Sequence, residues 1–333
     1  MIGDFFSATG SLLSIVFSAS FIASAIAFSV VMLFGTVGEL ITERAGHLNL
    51  GVEGMMLLGA SMGYFAAVRS SNLFLAILFA CVGAGFGALL YAILTVTLRV
   101  NQNVAGLALS IFGAGLANSL GSKVANTSTP DNIAKIFKQK PFSLSNPSGP
   151  FLTFINKAFL SHNIYVYVAV LVAVFATVFL FKTRAGLELR LTGENTAAAD
   201  ASGIKVTRIK YFYIILGGML CGIGGLYLPL VQQGSWTSNM TAGQGWLVVA
   251  LVIFVRWHPI KAIAGAYVFG SLTILGFSVQ LNERLSSIPI FNQYIMSMFP
   301  YLLTVVVLIA FSFRKKAWPG PKEIGRPYFR EER

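Results

Sequence analysis

The groups best suited to proton chemistry in this chain crowd into one stretch, Gly38 to Ala60, GELITERAGHLNLGVEGMMLLGA, which holds Glu39, Glu43, Arg44, His47 and Glu53 beside five glycines. Carboxylates and an imidazole in such proximity could act as acid and base, bind a metal, or relay a proton. Enzymatic use would need a nucleophile or a complementary base brought to the same depth, and nothing elsewhere in the chain pairs with this cluster. His162 and His258 lie far away in sequence, next to different loops. Cys81 and Cys221 fall inside apolar runs, where each behaves as a small apolar residue and supports neither a disulfide nor a metal site. No Gly-x-x-x-x-Gly-Lys-Ser/Thr string occurs, so the chain has no P-loop of its own. The expectation is a protein that is not itself an enzyme, with no metal and no cofactor bound in this chain. Two readings of the cluster stay open: a bend that shapes a path or its inner gate, or a Glu-Arg and Asn-Gly knot that fixes helix packing.

A second charged stretch stands between two long apolar runs. Lys182 to Lys210, KTRAGLELRLTGENTAAADASGIKVTRIK, carries six Lys/Arg and three carboxylates. Helix formers concentrate around Thr196 to Ala201, and Gly186, Gly193 and Gly203 punctuate the run. The pattern predicts a short amphipathic helix held between glycine joints at Gly186 and Gly203. Glu194 and Asn195 are suited to starting that helix or docking it, since their side chains can bond exposed backbone amides or a partner's donors.

The elements that must hold these two stretches follow from composition. With 56% apolar residues, 11% charged residues and a mean hydropathy of +0.74 over 333 residues, the chain is a polytopic membrane protein rather than a soluble domain. Apolar runs occur near 14–36, 54–68, 73–98, 104–120, 164–181, 211–231, 243–255, 262–280 and 296–313, against about 20 residues needed per crossing. The expected fold is all-α, a bundle of about nine transmembrane helices, eight to ten, over residues 1–313. An outer loop spans 121–163, a cytosolic loop 182–210, and a basic cytosolic tail 314–333. The run 243–255 is too short to cross and predicts a half helix facing protein or a water-filled cavity. The N-terminus lacks the basic start and small-residue cleavage site of a removable signal peptide.

Positive charge orients the bundle. Placing 182–210 in the cytosol puts 17 of the 24 Lys/Arg on that side, and five of the other seven fall in the long 121–163 loop, where the rule is weak. The net charge of +12 is therefore a topology signal and a contact with anionic lipid, not a nucleic-acid surface, because the basic residues are scattered over loops. Read linearly, no carboxylate lies in the middle of an apolar run, so the relay of a proton-driven carrier is missing. Sodium coupling through backbone carbonyls is not excluded by that count. A self-sufficient channel or sodium-coupled secondary transporter is the alternative to an externally driven permease.

Short motifs then resemble one family. Arg184-x-Gly186, Arg190-x-x-Gly193-Glu194-Asn195, Ala197-Ala198-Ala199 and Gly203-Ile204 resemble the coupling-helix loop of bacterial ABC importer permeases for simple sugars and nucleosides. Glu43-Arg44-x-Gly46-x-x-Asn49-x-Gly51-x-Glu53-Gly54 resembles the corresponding block of the nucleoside-type branch. Asn101-Gln102-Asn103 with Gly106 resembles the amide-bearing start of the next helix, and Pro259 to Gly270 resembles a Pro-x-x-Ala-x-x-Gly-Ala helix start. The matches run in order from Glu39 to Gly276, departing mainly at Thr192, where Val is common, and Thr196, where Pro is common.

The resemblance implies a membrane-embedded permease of the ABC importer fold in the cytoplasmic (inner) membrane of a bacterium, translocating nucleosides or related simple sugars. ATP is spent by separate ABC ATPase subunits. A second permease subunit, a related chain or a second copy, completes the path, and an extracytoplasmic substrate-binding protein delivers the solute. Coupling to the ATPase falls on Gly186, Glu194, Asn195, Ala198 and Gly203. Asn49, Glu53, Gln102, Asn103 and Asn118 are the expected polar residues of the translocation path.

Overall fold

The computed structural model describes residues 13–145, 147–281, 291–313 and 320–328. Residues 1–12, the outer-loop Glu283 and the basic tail positions 314–316, 330 and 333 lie outside the described residues. Among the described residues the chain is helical, with one isolated β-bridge between Ser128 and Ser235. In chain order the helices are α1 (Ala19–Arg44), α2 (Val52–Ser70), α3 (Leu73–Ala92), α4 (Gln102–Gly121), α5 (Asp131–Lys138), α6 (Pro150–Ile155), α7 (Ile164–Lys182), α8 (Arg184–Glu194), α9 (Thr196–Ala201), α10 (Val206–Tyr227), α11 (Gln244–Phe254), α12 (Pro259–Gln280) and α13 (Gln293–Ser312). Short π-helical turns extend α3, α6 and α10.

Six of these, α1, α3, α4, α7, α10 and α12, are long and apolar enough to cross a membrane. The chain is thus a multi-pass membrane protein. Six such helices among the described residues do not confirm the expected count of about nine crossings. The α2 helix is long enough, but Glu53 at its start and Arg69 at its end make it more polar. The α11 helix has only 11 residues, the half helix expected of a run too short to span. Nor is the 121–163 segment a plain loop, because it folds into α5 and α6.

Helix starts in a bilayer leave backbone N–H groups that must find partners, and the sequence supplies them. Ser18 caps α1 through Phe21 N at 3.2 Å, Asn72 caps α3, Asn101 caps α4, Asn163 caps α7, Thr183 caps α8 and Asn195 caps α9. Pro259 opens α12, where its missing N–H costs nothing.

Between helices in lipid there is no hydrophobic drive, so contact depends on close van der Waals fit and small residues. The α10 helix is the hub. It packs against α1, α2 and α3, while α1 also packs against α12 and α2 against α4. Gly217 faces Gly38 of α1, Gly222 faces Gly59 of α2, and Gly225 lies on the Met56 carbonyl; a Cβ at Gly59 or Gly225 would overlap the facing backbone. Backbone on both sides leaves no flexible atom to yield.

That geometry sets a first test. Gly225→Val should cost at least the 1–3 kcal/mol typical of overpacking, roughly, and deplete the protein from the membrane. Gly115→Ala, at a position on α4 with open space around it, should leave abundance and the thermal midpoint in detergent unchanged. Equal midpoints for the two variants would refute the hub.

Candidate functional site

Two sites emerge at opposite ends of α11. The first gathers the Gly38–Ala60 cluster and the 182–210 loop. Instead of one helix between glycine joints, the loop forms α8 and α9 with an elbow at Asn195. Its backbone N–H closes α8 on Leu191 O at 2.9 Å, and its side-chain Oδ1 accepts from Ala198 N at 2.9 Å to open α9. Thr196 and Thr192 are fully buried and return their hydroxyls to Thr192 O and Glu188 O, both at 2.8 Å. Gly203 ends α9 at φ +83° with open space around it, the left-handed position a glycine fills without strain. Gly186 is different: buried in the first turn of α8, it lies so close to Phe179 and Leu180 of α7 that a side chain would not fit. Asn195, Ala198, Ala201, Ser202 and Gly203 are exposed, a face of small residues.

The elbow is tied into the bundle through α1. Glu194 Oε1 lies 3.9 Å from Arg44 Nη1, and Arg44 Nη2 donates to Trp257 O at 2.9 Å. Trp257 Nε1 in turn donates to Glu43 Oε2. Arg256 and Trp257 follow the C-cap Val255 of α11 and both have positive φ, 56° and 55°. Two consecutive non-glycine residues in this region cost about 1–2 kcal/mol each and persist only where surroundings impose them. Gly193 lies against the Arg44 carbonyl, and Glu323 N donates to Gly193 O at 3.0 Å. Glu39 is fully buried and accepts from Asn49 N at 2.9 Å; Gln102 Oε1 accepts from Leu48 N at 2.7 Å and Gly325 N at 3.2 Å. Asn49 and Gln102, expected on the path, are thus engaged with backbone in this knot.

The second site lies at the N-terminus of α11. Gly35, nine residues before the end of α1, faces Val248, which at 1.5 Å per residue puts α11's start about 13 Å or more from the end of α1 and near mid-depth in ~30 Å of hydrocarbon. There Glu53 Oε1 accepts from Thr241 Oγ1 at 2.5 Å and Gly243 N at 2.9 Å, and Oε2 accepts from Gly245 N at 2.6 Å. Linear reading puts no carboxylate in mid-span; the re-entrant 45–51 turn lifts Glu53 to that depth. Beside it opens a cavity of about 560 Å³ whose walls include Gln232, Gln244, Thr273, Phe277, Gln280 and Tyr301. Sequence reading missed these residues, since glutamines at run ends look like boundary residues. None of Asn49, Glu53, Gln102, Asn103 and Asn118 is among its lining. Asn103 is exposed on α4, and Asn118 exchanges hydrogen bonds with Asn239, at 2.8 and 3.1 Å.

His47 sits in the turn between α1 and α2, 2% exposed, edge-on to Tyr91, and neither ring nitrogen has a hydrogen-bond partner among the described residues. Burial, helped by the Lys210 ammonium, holds its pKa well below the usual imidazole value. Arg99, Lys205, Arg208, Lys210, Asp200 and Tyr328 share the hollow it faces. The unfolded chain takes up this proton near pH 6.5 and the folded chain only at lower pH, so stability falls as pH drops below about 6.5. The thermal midpoint of the purified protein should fall between about pH 7.5 and 5, and His47→Asn should flatten part of that slope. A variant as acid-sensitive as the parent would contradict this placement.

Comparison with known proteins agrees with the architecture. A family model described as "Branched-chain amino acid transport system / permease component" matches residues 20–308. TsgC13 of Haloferax volcanii, whose name ascribes it to a glucose ABC transporter permease, is 34% identical over 308 residues, covering 88% of this chain and 91% of that one. The nucleoside ABC transporter permease protein NupC of Lactococcus lactis is 30% identical over 326 residues, 93% and 97% of the two chains. The guanosine ABC transporter permease protein NupQ of Bacillus subtilis is 28% identical over 322 residues, 94% and 97%.

Proposed function

This chain belongs to the family of permease components of branched-chain amino acid transport systems, and from that membership we propose that it is the membrane-spanning subunit of an ABC importer for nucleosides or related simple sugars. The observation that carries the reading is the elbow at Asn195: a short helix, α9, with Ala198 and Ala201 exposed, fixed by Glu194 and Arg44 to the end of a half helix inside the bundle. A partner ATPase that closes on ATP would press on α9. A rigid capped helix transmits that displacement as a body, and Gly203, already in the left-handed region, absorbs the backbone change on its far side. Gly193 and Gly186 keep α8 close-packed on α1 and α7, so the push reaches Arg44 and, through Trp257, α11.

The partners follow from the same reading. Two ATPase subunits sit beneath two permease subunits, the second a related chain or another copy of this one, and an extracytoplasmic binding protein delivers the solute. The likeness to NupC and NupQ supports nucleosides, and that to TsgC13 supports simple sugars as the neighbouring class. The membrane is the cytoplasmic one, with α8, α9 and residues 320–328 on its inner side. ATP binds the partner and not this chain.

The test is radiolabelled uptake of nucleosides and pentoses by the complete importer, with unlabelled competitors ranking the ligands. Uptake should stop when the ATPase loses its P-loop lysine; uptake that persists would overturn the proposal. Asn195→Ala removes a cap worth about 1 kcal/mol and Gly203→Val forces a side chain into the left-handed region at about 1–2 kcal/mol. Both should leave the protein in the membrane with ATP hydrolysis continuing and transport reduced. Normal uptake from both would contradict the coupling role.

A further inference from the structure

The hollow that His47 borders opens at the start of α10, on the face that carries α8, α9 and residues 320–328. It encloses about 470 Å³ between the end of α3 with the turn after it, the joint from α9 to α10, and the first turn of α10. Four cations, Arg99, Lys205, Arg208 and Lys210, stand around it against one carboxylate, Asp200, whose Oδ2 accepts from the Tyr328 hydroxyl at 3.0 Å. His47 adds no charge, because burial keeps its ring neutral. The field inside the hollow is therefore positive.

Two sets of donors there lack an acceptor. Lys205 gives α10 no side-chain cap, Val206 N bonds Ile204 O at 2.8 Å, and Thr207 N and Arg208 N have no acceptor among the described residues. Open amides at the positive end of a 22-residue helix favour negative charge. Lys210, one turn further on, is only 3% exposed. Its ammonium makes no hydrogen bond or ion pair among the described residues; it lies 5.9 Å from the centre of the Tyr328 ring, and Glu323 acts on it through space. A buried ammonium without an acceptor is costly, and three more cations around the hollow add to that cost. The ring offsets only part of it. Thr207 and Lys210 are three residues apart on one helix face, and helical side chains lean toward the N-terminus, so the ammonium heads for the same open end as the amides. Amides along the axis, the Thr207 hydroxyl, the forked guanidinium of exposed Arg208 and this ammonium come from different directions. A tetrahedral anion with three acceptor oxygens takes such a set, whereas a planar carboxylate offers two.

We propose that this hollow binds a phosphate group, carried by a soluble phosphate or by a lipid headgroup, between the first turn of α10, Arg208 and Lys210. Gly203 lines the same hollow, so the bound group sits against the joint at the end of α9. The assignment is independent of the solute and of the ATPase. The experiment follows the thermal midpoint of the purified full chain in detergent at pH 7.5. One arm adds inorganic phosphate, with potassium chloride at equal ionic strength as its control. The other adds phosphatidylglycerol, with a galactosyl diacylglycerol, which has no phosphate, as its control. A midpoint raised by about 2 °C or more with inorganic phosphate identifies a soluble-phosphate site, and one raised only by phosphatidylglycerol identifies a headgroup site. A rise with neither overturns the proposal. Arg208→Gln should move the half-maximal concentration up about tenfold, the loss expected for a charge-assisted hydrogen bond. Lys210→Met should abolish the response and leave the midpoint without anion no lower than the parent's, because it removes a buried charge. Should that variant fail to fold, Arg208→Gln decides alone: a parental response in it would overturn the assignment. A chain ended at Tyr328 lacks the last five residues, with Arg330 and Arg333 beside Glu331 and Glu332. It should respond as the parent does, and loss of the response would place the anion on those arginines and overturn the site.

Discussion

A helix that begins in the middle of a bilayer exposes backbone N–H groups where water cannot satisfy them, and the arrangement around Glu53 is this protein's answer to that constraint. Three donors from 241–245 converge on one carboxylate at 2.5–2.9 Å. The negative charge is costly at that depth and is tolerated because the dipole end of α11 and the donors compensate it. The consequences spread outward. Glu53 can reach α11 only because the chain after α1 turns back through 45–51 before starting α2. That turn needs partners for its own backbone, which Glu39 supplies to Asn49, Tyr91 to Leu48, Ser110 to Leu50 and Gln102 to Leu48.

The other end of α11 is held as firmly by different chemistry. Trp257 donates from its ring to Glu43 and accepts from Arg44 at its carbonyl, and the left-handed pair Arg256 and Trp257 makes the sharp reversal into α12. The half helix is thus clamped at its N-terminus beside the cavity and at its C-terminus beside the Asn195 elbow. Gln244 and Leu247 near its start line the cavity. A displacement arriving at Arg44 from Glu194 has an 11-residue rigid body to act on, and the far end of that body is cavity wall.

Much of this was legible in residues, and the rest was hidden for definite reasons. The charged 182–210 loop, the amide start at Asn101, the Pro259 helix start and the short 243–255 run each announced a local structure through capping, proline or length, all nearest-neighbour effects. Glu53 was legible as important but its depth was not, because linear distance from an apolar run says nothing about a chain that re-enters the bilayer. Asn49 and Gln102 looked like path residues because amides at membrane depth are rare, yet the same donors and acceptors serve backbone groups in a turn equally well. The cavity glutamines come from four separate segments, α10's extension, α11, α12 and α13. No spacing within one segment could bring them together on paper.

The tail ties the end of the bundle that carries α8 and α9 together. Residues 320–328 return to the face that carries α8 and α9, where Glu323 N bonds Gly193 O, Gly325 N bonds Gln102 Oε1, and Tyr328 donates to Asp200 Oδ2 at 3.0 Å with Lys210 over its ring. Those contacts add a link between α4 and the directly packed α8, α9 and α10. Each bond alone is worth about 1 kcal/mol, too little to hold a loop against a force, but together they tie both sides of the Asn195 elbow to the same strap. The α9 helix therefore cannot tilt about Asn195 without straining Tyr328 against Asp200 or Glu323 against Gly193. Translation of the elbow together with the tail keeps the Glu323–Gly193 and Tyr328–Asp200 bonds, and the tail's contacts to Gln102 of α4 and Lys210 of α10 resist it.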